Sequence, residues 1–209
     1  DDEPLLMHTG LRSMFGEVRE AVARLVPLDK LRHIAFSHFE ADECGSLPEW
    51  LAASPAAEPA CSQVGALVSV GDQIGRRVRG LADGESFATG RYRFRFCQTS
   101  HLPHGWDAGV FFEETQRTLL CSDLFHQNGD VEALTRDDVV ERSRAALRQY
   151  QAGVLAGYVP YTPHIGKLLG QLAELRPATL AIMHGSSFAG DGAAALKALD
   201  GVYRELFGA

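Results

Sequence analysis

The sequence lacks any stretch approaching the roughly 18 consecutive apolar residues that a membrane-spanning helix needs. Its first residues, Asp1-Asp2-Glu3, also lack the basic start of a secretory signal. Positive charge is in short supply: 20 Lys and Arg stand against 27 Asp and Glu, for a formal net charge of −7. Phosphate binding needs a concentrated Lys/Arg surface that releases counterions, so nucleic acid is excluded as a partner. The one basic cluster, Arg76-Arg77-Val78-Arg79, is short and reads as a solvated face. Cysteine is scarce as well. Cys44, Cys61, Cys97 and Cys121 stand singly with no C-x-x-C pair, which excludes a zinc ribbon, a thioredoxin motif and rubredoxin-type iron. Their expected state is reduced and buried. No internal repeat or low-complexity tract is present, and these absences together predict a cytoplasmic protein with no membrane partner.

What is present is ordinary globular material. With 45% hydrophobic and 22% charged residues over 209 positions, the chain is long enough for a sizeable core and is expected to form one domain spanning 1–209. Apolar residues at helical spacing predict a first helix over 13–26. Leu31 to Ser37 is a short apolar run that predicts a strand ending at His38. Further strands are expected over 63–70 and 92–96, a hairpin over 110–121 and a strand over 179–183. Helices are expected over 134–150, 163–175 and 193–207, and residues 52–60 as a helix end plus a loop. Mixed strands and helices in this order predict a layered α/β architecture.

Chemistry concentrates in Ser37-His38-Phe39-Glu40-Ala41-Asp42-Glu43-Cys44-Gly45-Ser46-Leu47-Pro48, where a His and two carboxylates alternate just after an apolar strand. Taken alone, H-x-E-x-D is a weak signal. Its context strengthens it, because other predicted strands also end in ligand types: His104 in Leu102-Pro103-His104-Gly105-Trp106-Asp107, Asp123 in Cys121-Ser122-Asp123, and His184 in Met183-His184-Gly185. Ligands on the ends of separate strands are held by rigid elements and are able to converge.

This pattern resembles the flavodiiron proteins, a branch of the metallo-β-lactamase superfamily in which H-x-E-x-D replaces the hydrolases' H-x-H-x-D-H. The intervals fit that branch, with eighteen residues between His104 and Asp123 and sixty between Asp123 and His184. Gly45-Ser46-Leu47-Pro48, the His-x-x-Asp of His104 and Asp107, and the His-Gly at His184 are further family-like details. The resemblance implies a metallo-β-lactamase-like αββα sandwich. The superfamily has strands ahead of Leu5-Leu6-Met7-His8-Thr9-Gly10, so either a leading piece lies outside this sequence or the fold is trimmed of its first strands. It implies that His38, Glu40 and His104 bind one iron, that Asp42 and His184 bind the other, and that Asp123 bridges them. Three carboxylates offset most of the four positive charges of two ferrous ions. Oxygen donors mixed with imidazole suit Fe or Mn better than Zn.

Two residues depart from the family. Glu43 stands where a His is usual, and is open between a ligand and a solvated carboxylate; His8 stands where Asp is common, so a supporting hydrogen bond is expected to differ. The implied function is to bind or reduce dioxygen or nitric oxide, as a sensor or as the metal module of a reductase. No flavin module is seen, so electrons are expected from a separate donor or the signal to pass to a separate protein, and a homodimer is compatible. The alternative from another class is a dinuclear zinc hydrolase, against which Glu40 counts. His33, His126 and His164 are read as surface or core residues, whereas His101, three residues before His104, is an alternative to it that the spacing to Trp106 and Asp107 disfavours. Trp106, Phe111, Phe112 and Tyr92 are read first as core rather than as walls of a gas pocket, and Tyr158 and Tyr161 as turn packing.

Overall fold

The computed structural model describes residues 2–208 and divides into two compact units. The first comprises residues up to Gln98 together with Asp107–Gly109, and the second Thr99–Trp106 together with residues from Val110 on.

The first unit is built on four parallel strands, β1 (Leu5–Met7), β2 (His33–Ala35), β3 (Glu58–Ser62) and β4 (Arg79–Leu81), hydrogen-bonded in that order. Parallel neighbours need a crossover, and each one here contains helix. Helix α1 (Phe15–Ala23) joins β1 to β2, and α2 (Ala41–Cys44) and α3 (Leu47–Ala53) join β2 to β3. Between β3 and β4 the chain forms α4 (Gln63–Gly65), a wide π-helical turn over Ala66–Val70, and α5 (Gly71–Ile74). Leu31, Ile34, Phe36, Leu47 and Trp50 fill the core, and Phe15 meets Trp50 edge to face with ring centres 5.5 Å apart. An antiparallel hairpin of β5 (Ser86–Thr89) and β6 (Tyr92–Gln98) completes the unit.

The strand expected over 63–70 is therefore helical. Ser62 decides the matter: its hydroxyl accepts from Gly65 N–H at 3.0 Å and caps a helix directly after β3. Leu67 and Val68, which suggested a strand, are 84% and 52% exposed. The expected loop before it closes with β3 instead, which begins at Glu58.

In the second unit β7 (Gly109–Glu113) runs antiparallel to β8 (Thr118–Leu120), and β8 is parallel to β10 (Thr179–Ala181). Beyond β10 lie β11 (Ser187–Ala189), antiparallel to it, and then β9 (Leu134–Thr135), parallel to β11. The helix expected from residue 134 starts later, because Leu134–Thr135 is this edge strand. Helix α6 (Val139–Gln151) begins where Asp138 accepts from the N–H groups of Val140 and Glu141, both at 3.0 Å. Helices α7 (Ile165–Glu174) and α8 (Gly192–Phe207) pack on each other. The buried residues Ile165, Leu169, Leu172 and Ala173 give α7 one apolar face. Among the described residues no helix is long and apolar enough to cross a membrane.

Candidate metal centre

In the first unit the ligand-type residues follow β2 in the order of the chain. Crevices beyond the carboxyl ends of parallel strands are where such sheets expose backbone and side chains to ligands, and Phe36-Ser37-His38 continues β2 into that region. His38 is buried, and its Nε2 lies 3.8 Å from Glu40 Oε1 and 4.0 Å from Glu43 Oε1. The side chains of Asp42 and Glu43 bring carboxylate oxygens within 4.8 Å of one another. Glu43 is 0% exposed, so it is not a solvated carboxylate. A carboxylate so far from water is costly unless a cation or a proton accompanies it.

Backbone contacts fix this loop. Asp107 Oδ2 accepts from Phe39 N–H at 2.9 Å, which holds the peptide between His38 and Glu40. Thr9 N–H donates to Glu43 O at 2.8 Å, and the Thr9 carbonyl accepts from Ser46 Oγ at 2.7 Å and from Trp50 Nε1 at 3.1 Å. Asp107 thus has a role that its motif alone did not reveal.

The second unit assembles its residues through strand register. Because β8 and β10 are parallel with Leu120 opposite Ala181, Asp123 and His184 each lie three residues beyond a register pair on the same edge. Cys121 N–H to Ala181 O at 2.9 Å and Met183 N–H to Ser122 O at 3.3 Å carry the pairing onward. His184 O then accepts from Gln127 N–H at 2.7 Å. A Cβ at Gly185, where φ is +145°, would stand 2.6 Å from the Gln127 amide, so that position calls for glycine. His104 arrives on a loop closed by Leu102 N–H to Thr99 O and His101 N–H to Gly105 O, both at 2.7 Å.

These three residues meet in a definite way. Asp123 Oδ2 lies 3.3 Å from His104 Nε2, and Asp123 Oδ1 lies 3.2 Å from His184 Nε2. The carboxylate is 4% exposed. One oxygen per imidazole is the disposition of a bridging carboxylate. Donors about 2.0–2.2 Å from a shared ion stand roughly 3.0–3.5 Å apart along the edges of its coordination shell, so both separations fit a metal. The residues of both units therefore suit metal ions in charge and donor type, and those of the second unit in spacing as well.

An aromatic group surrounds this part of the second unit. Tyr158 lies edge-on to His104 at 4.6 Å, its hydroxyl is 3.3 Å from His126 Nδ1, and His126 stacks on His184 at 4.3 Å. Burial first, and then the charge of Asp123, push the Tyr158 phenol well above its ordinary range and keep it a neutral hydrogen-bond donor. Both Tyr158 and His126 carry more than the turn-packing and surface roles expected of them. Phe111 and Phe112 are core, as expected, whereas Trp106 is 58% exposed and is not core. His101 and His164 are exposed, and His33 pairs with Glu3. Among the described residues the cysteines form no disulfide, and Cys44, Cys61 and Cys121 are buried. Burial, then Glu43, pushes the Cys44 thiol up to about 12, so it offers no thiolate.

The model of the ODP family beta lactamase matches residues 1–185. No curated protein sequence matches the chain. Among solved structures, rubredoxin oxygen:oxidoreductase from Desulfovibrio gigas superposes with a TM-score of 0.81 at 22% identity, covering 98% of this chain and 52% of that one. The apo chemotaxis sensor ODP from T. denticola gives 0.75 at 20% identity, covering 96% and 82%. A mutant flavo di-iron protein from Thermotoga maritima gives 0.80 at 24% identity, covering 96% and 51%. The chain thus spans about half the length of the oxygen:oxidoreductase and of the flavo di-iron protein. These likenesses show a mixed α/β fold of the metallo-β-lactamase type.

Proposed function

Because the chain belongs to the ODP family of beta-lactamase-fold proteins, we propose that it is a non-haem diiron protein that binds or reduces dioxygen or nitric oxide. It acts as a sensor, or as the metal module of a reductase with a separate electron donor, and the whole chain serves as one such module in the cytoplasm. The observation that carries this reading is Asp123, which turns one oxygen to His104 and the other to His184. In this reading His38, Glu40 and His104 serve one iron, Asp42 and His184 the other, and Asp123 bridges. Buried Glu43 joins the second iron's ligands. Two structural relatives support it by name, one an oxygen:oxidoreductase and one a chemotaxis sensor. The carboxylate-rich donor set favours Fe, with Mn next and Zn last.

Bound ferrous ions would supply up to two electrons to a diatomic gas. The residues do the rest. The imidazoles and carboxylates named above would hold the metals. The neutral Tyr158 phenol offers a proton or a hydrogen bond beside His126 and Asp123.

Metal analysis of protein purified without added metal, with its ultraviolet–visible spectrum recorded anaerobically and after exposure to dioxygen or nitric oxide, tests the proposal. About two irons per chain and a visible absorption change are expected. Full reduction of dioxygen to water takes four electrons, so sustained consumption is expected only with an added flavoprotein or other donor. Turnover with NADH alone would overturn the donor requirement. Zinc-loaded protein that cleaves esters or lactams at enzyme-like rates would move the assignment to a dinuclear hydrolase.

A further inference from the structure

We propose that His8 is a positioning residue which, through the Ser37 hydroxyl, fixes the tautomer of His38 and puts the His38 lone pair on Nε2. The inference rests on the reading of His38 as a ligand only for its consequence, since the hydrogen-bond chain is a property of the protein without metal.

Three contacts form the chain. His8 Nε2 lies 3.0 Å from Ser37 Oγ, and Ser37 Oγ lies 2.9 Å from His38 Nδ1. Read alone, these two bonds run in either direction, because a hydroxyl both donates and accepts and a neutral imidazole nitrogen does one or the other. The third contact removes the ambiguity. The backbone N–H of Ser37 also points to His8 Nε2, at 3.3 Å, and a backbone N–H only donates. His8 Nε2 is therefore the acceptor and carries no proton. The Ser37 hydroxyl donates to it as well, sharing the lone pair, and so is left to accept from the other side. His38 Nδ1 must then carry the hydrogen, and the His38 lone pair sits on Nε2.

That direction has a chemical consequence. His38 Nε2 is the atom that faces Glu40 Oε1 and Glu43 Oε1. A lone pair beside two carboxylates is a favourable arrangement around a cation, whereas the opposite tautomer would aim an N–H at them and block coordination. Ser37 and His38 are both buried, so water is poorly placed to substitute for either partner. His8 is itself anchored, its N–H donating to Ala35 O at 2.8 Å as β1 ends. Hydrogen bonds of this kind to a ligating imidazole typically change metal affinity 10- to 100-fold when lost.

The test uses the metal-free full chain labelled with 15N-histidine, in which long-range 1H–15N correlations report which ring nitrogen of His38 is protonated at mildly alkaline pH. Wild type should show the Nδ1–H tautomer. Ser37→Ala and His8→Phe should each shift His38 toward a tautomer mixture, while His8→Gln, whose side-chain carbonyl still accepts, should restore Nδ1–H. Cobalt(II) titration of the same proteins should show affinity falling about 10- to 100-fold for the first two variants and returning to within a few-fold of wild type for the third. An Nε2–H tautomer in wild type, or a tautomer unmoved by both Ser37→Ala and His8→Phe, would overturn the relay. His38→Ala separates the two ideas: if it still binds cobalt with wild-type stoichiometry and affinity, His38 is not a ligand, while the tautomer in the metal-free protein continues to decide the relay.

Discussion

At the scale of single residues, Asp123 turns one carboxylate oxygen to His104 and the other to His184. His38, Glu40, Asp42, His104, Asp123 and His184 announce themselves as metal-binding chemistry at suggestive intervals. The roles of Asp107, His126 and Tyr158 do not, because each is defined by a contact 32 or 68 positions away, as in His126 with Tyr158 and Phe39 with Asp107. Asp123 offers the sharpest mutational test. Because Asp123 sets one oxygen against each of two imidazoles, Asp123→Ala should lower iron from about two per chain to near zero. His104→Ala and His184→Ala should each lose about one, by elemental analysis; an Asp123→Ala protein that keeps both irons would remove it from the centre. The cysteines give a second expectation. With its thiol pushed up to about 12 by burial and Glu43, Cys44 is about 1 part in 10,000 thiolate at pH 8. Burial also raises Cys61 and Cys121. Folded protein treated with iodoacetamide should be alkylated at half-buried Cys97 and spared at the other three, as peptide mass mapping would show.

At the scale of elements, legibility followed the strength of the local signal. Helix α7 and strand β6 were evident because an apolar face at helical spacing, or an alternating aromatic pattern, survives in the finished fold. The segment over 63–70 was misread because a short apolar run suits a strand as well as a helix. The deciding contact there is a single serine hydroxyl on Gly65 N–H. Caps also set where α6 begins, since Asp138 satisfies two N–H groups that otherwise lack helical partners. Asp138→Ala should therefore destabilise the protein by about 1 kcal/mol, whereas Asp138→Asn, which retains an acceptor, should cost less. Urea denaturation followed by circular dichroism measures both; equal losses would mean that the charge, not the acceptor, supports the helix end.

At the scale of the whole molecule, the match over residues 1–185 shows the family and the superpositions show the fold, and the acidic residues of the proposed centre bear on stability. The chain already carries a formal charge of −7, and the proposed centre concentrates Glu40, Asp42, Glu43 and Asp123. Two of these, Glu43 and Asp123, are buried, and taking a carboxylate out of water costs several kcal/mol unless a compensating charge is present. Metal binding therefore ought to stabilise the folded state well beyond the effect of any surface ion pair. Linkage sets the size: with free metal at about 100 times its Kd, the native state gains about 2.7 kcal/mol. In a protein of this length each kcal/mol moves the melting temperature by about 2–4 °C. Thermal melts under anaerobic conditions should thus show the iron-loaded protein about 5–10 °C above the chelator-treated one. Asp123→Ala should abolish that difference, because its loss removes the metals rather than the fold. A metal-dependent shift that persists in Asp123→Ala would show that iron stabilises the chain through some other set of residues, and identical melts with and without iron in the wild-type protein would mean that these buried carboxylates are compensated by the protein alone.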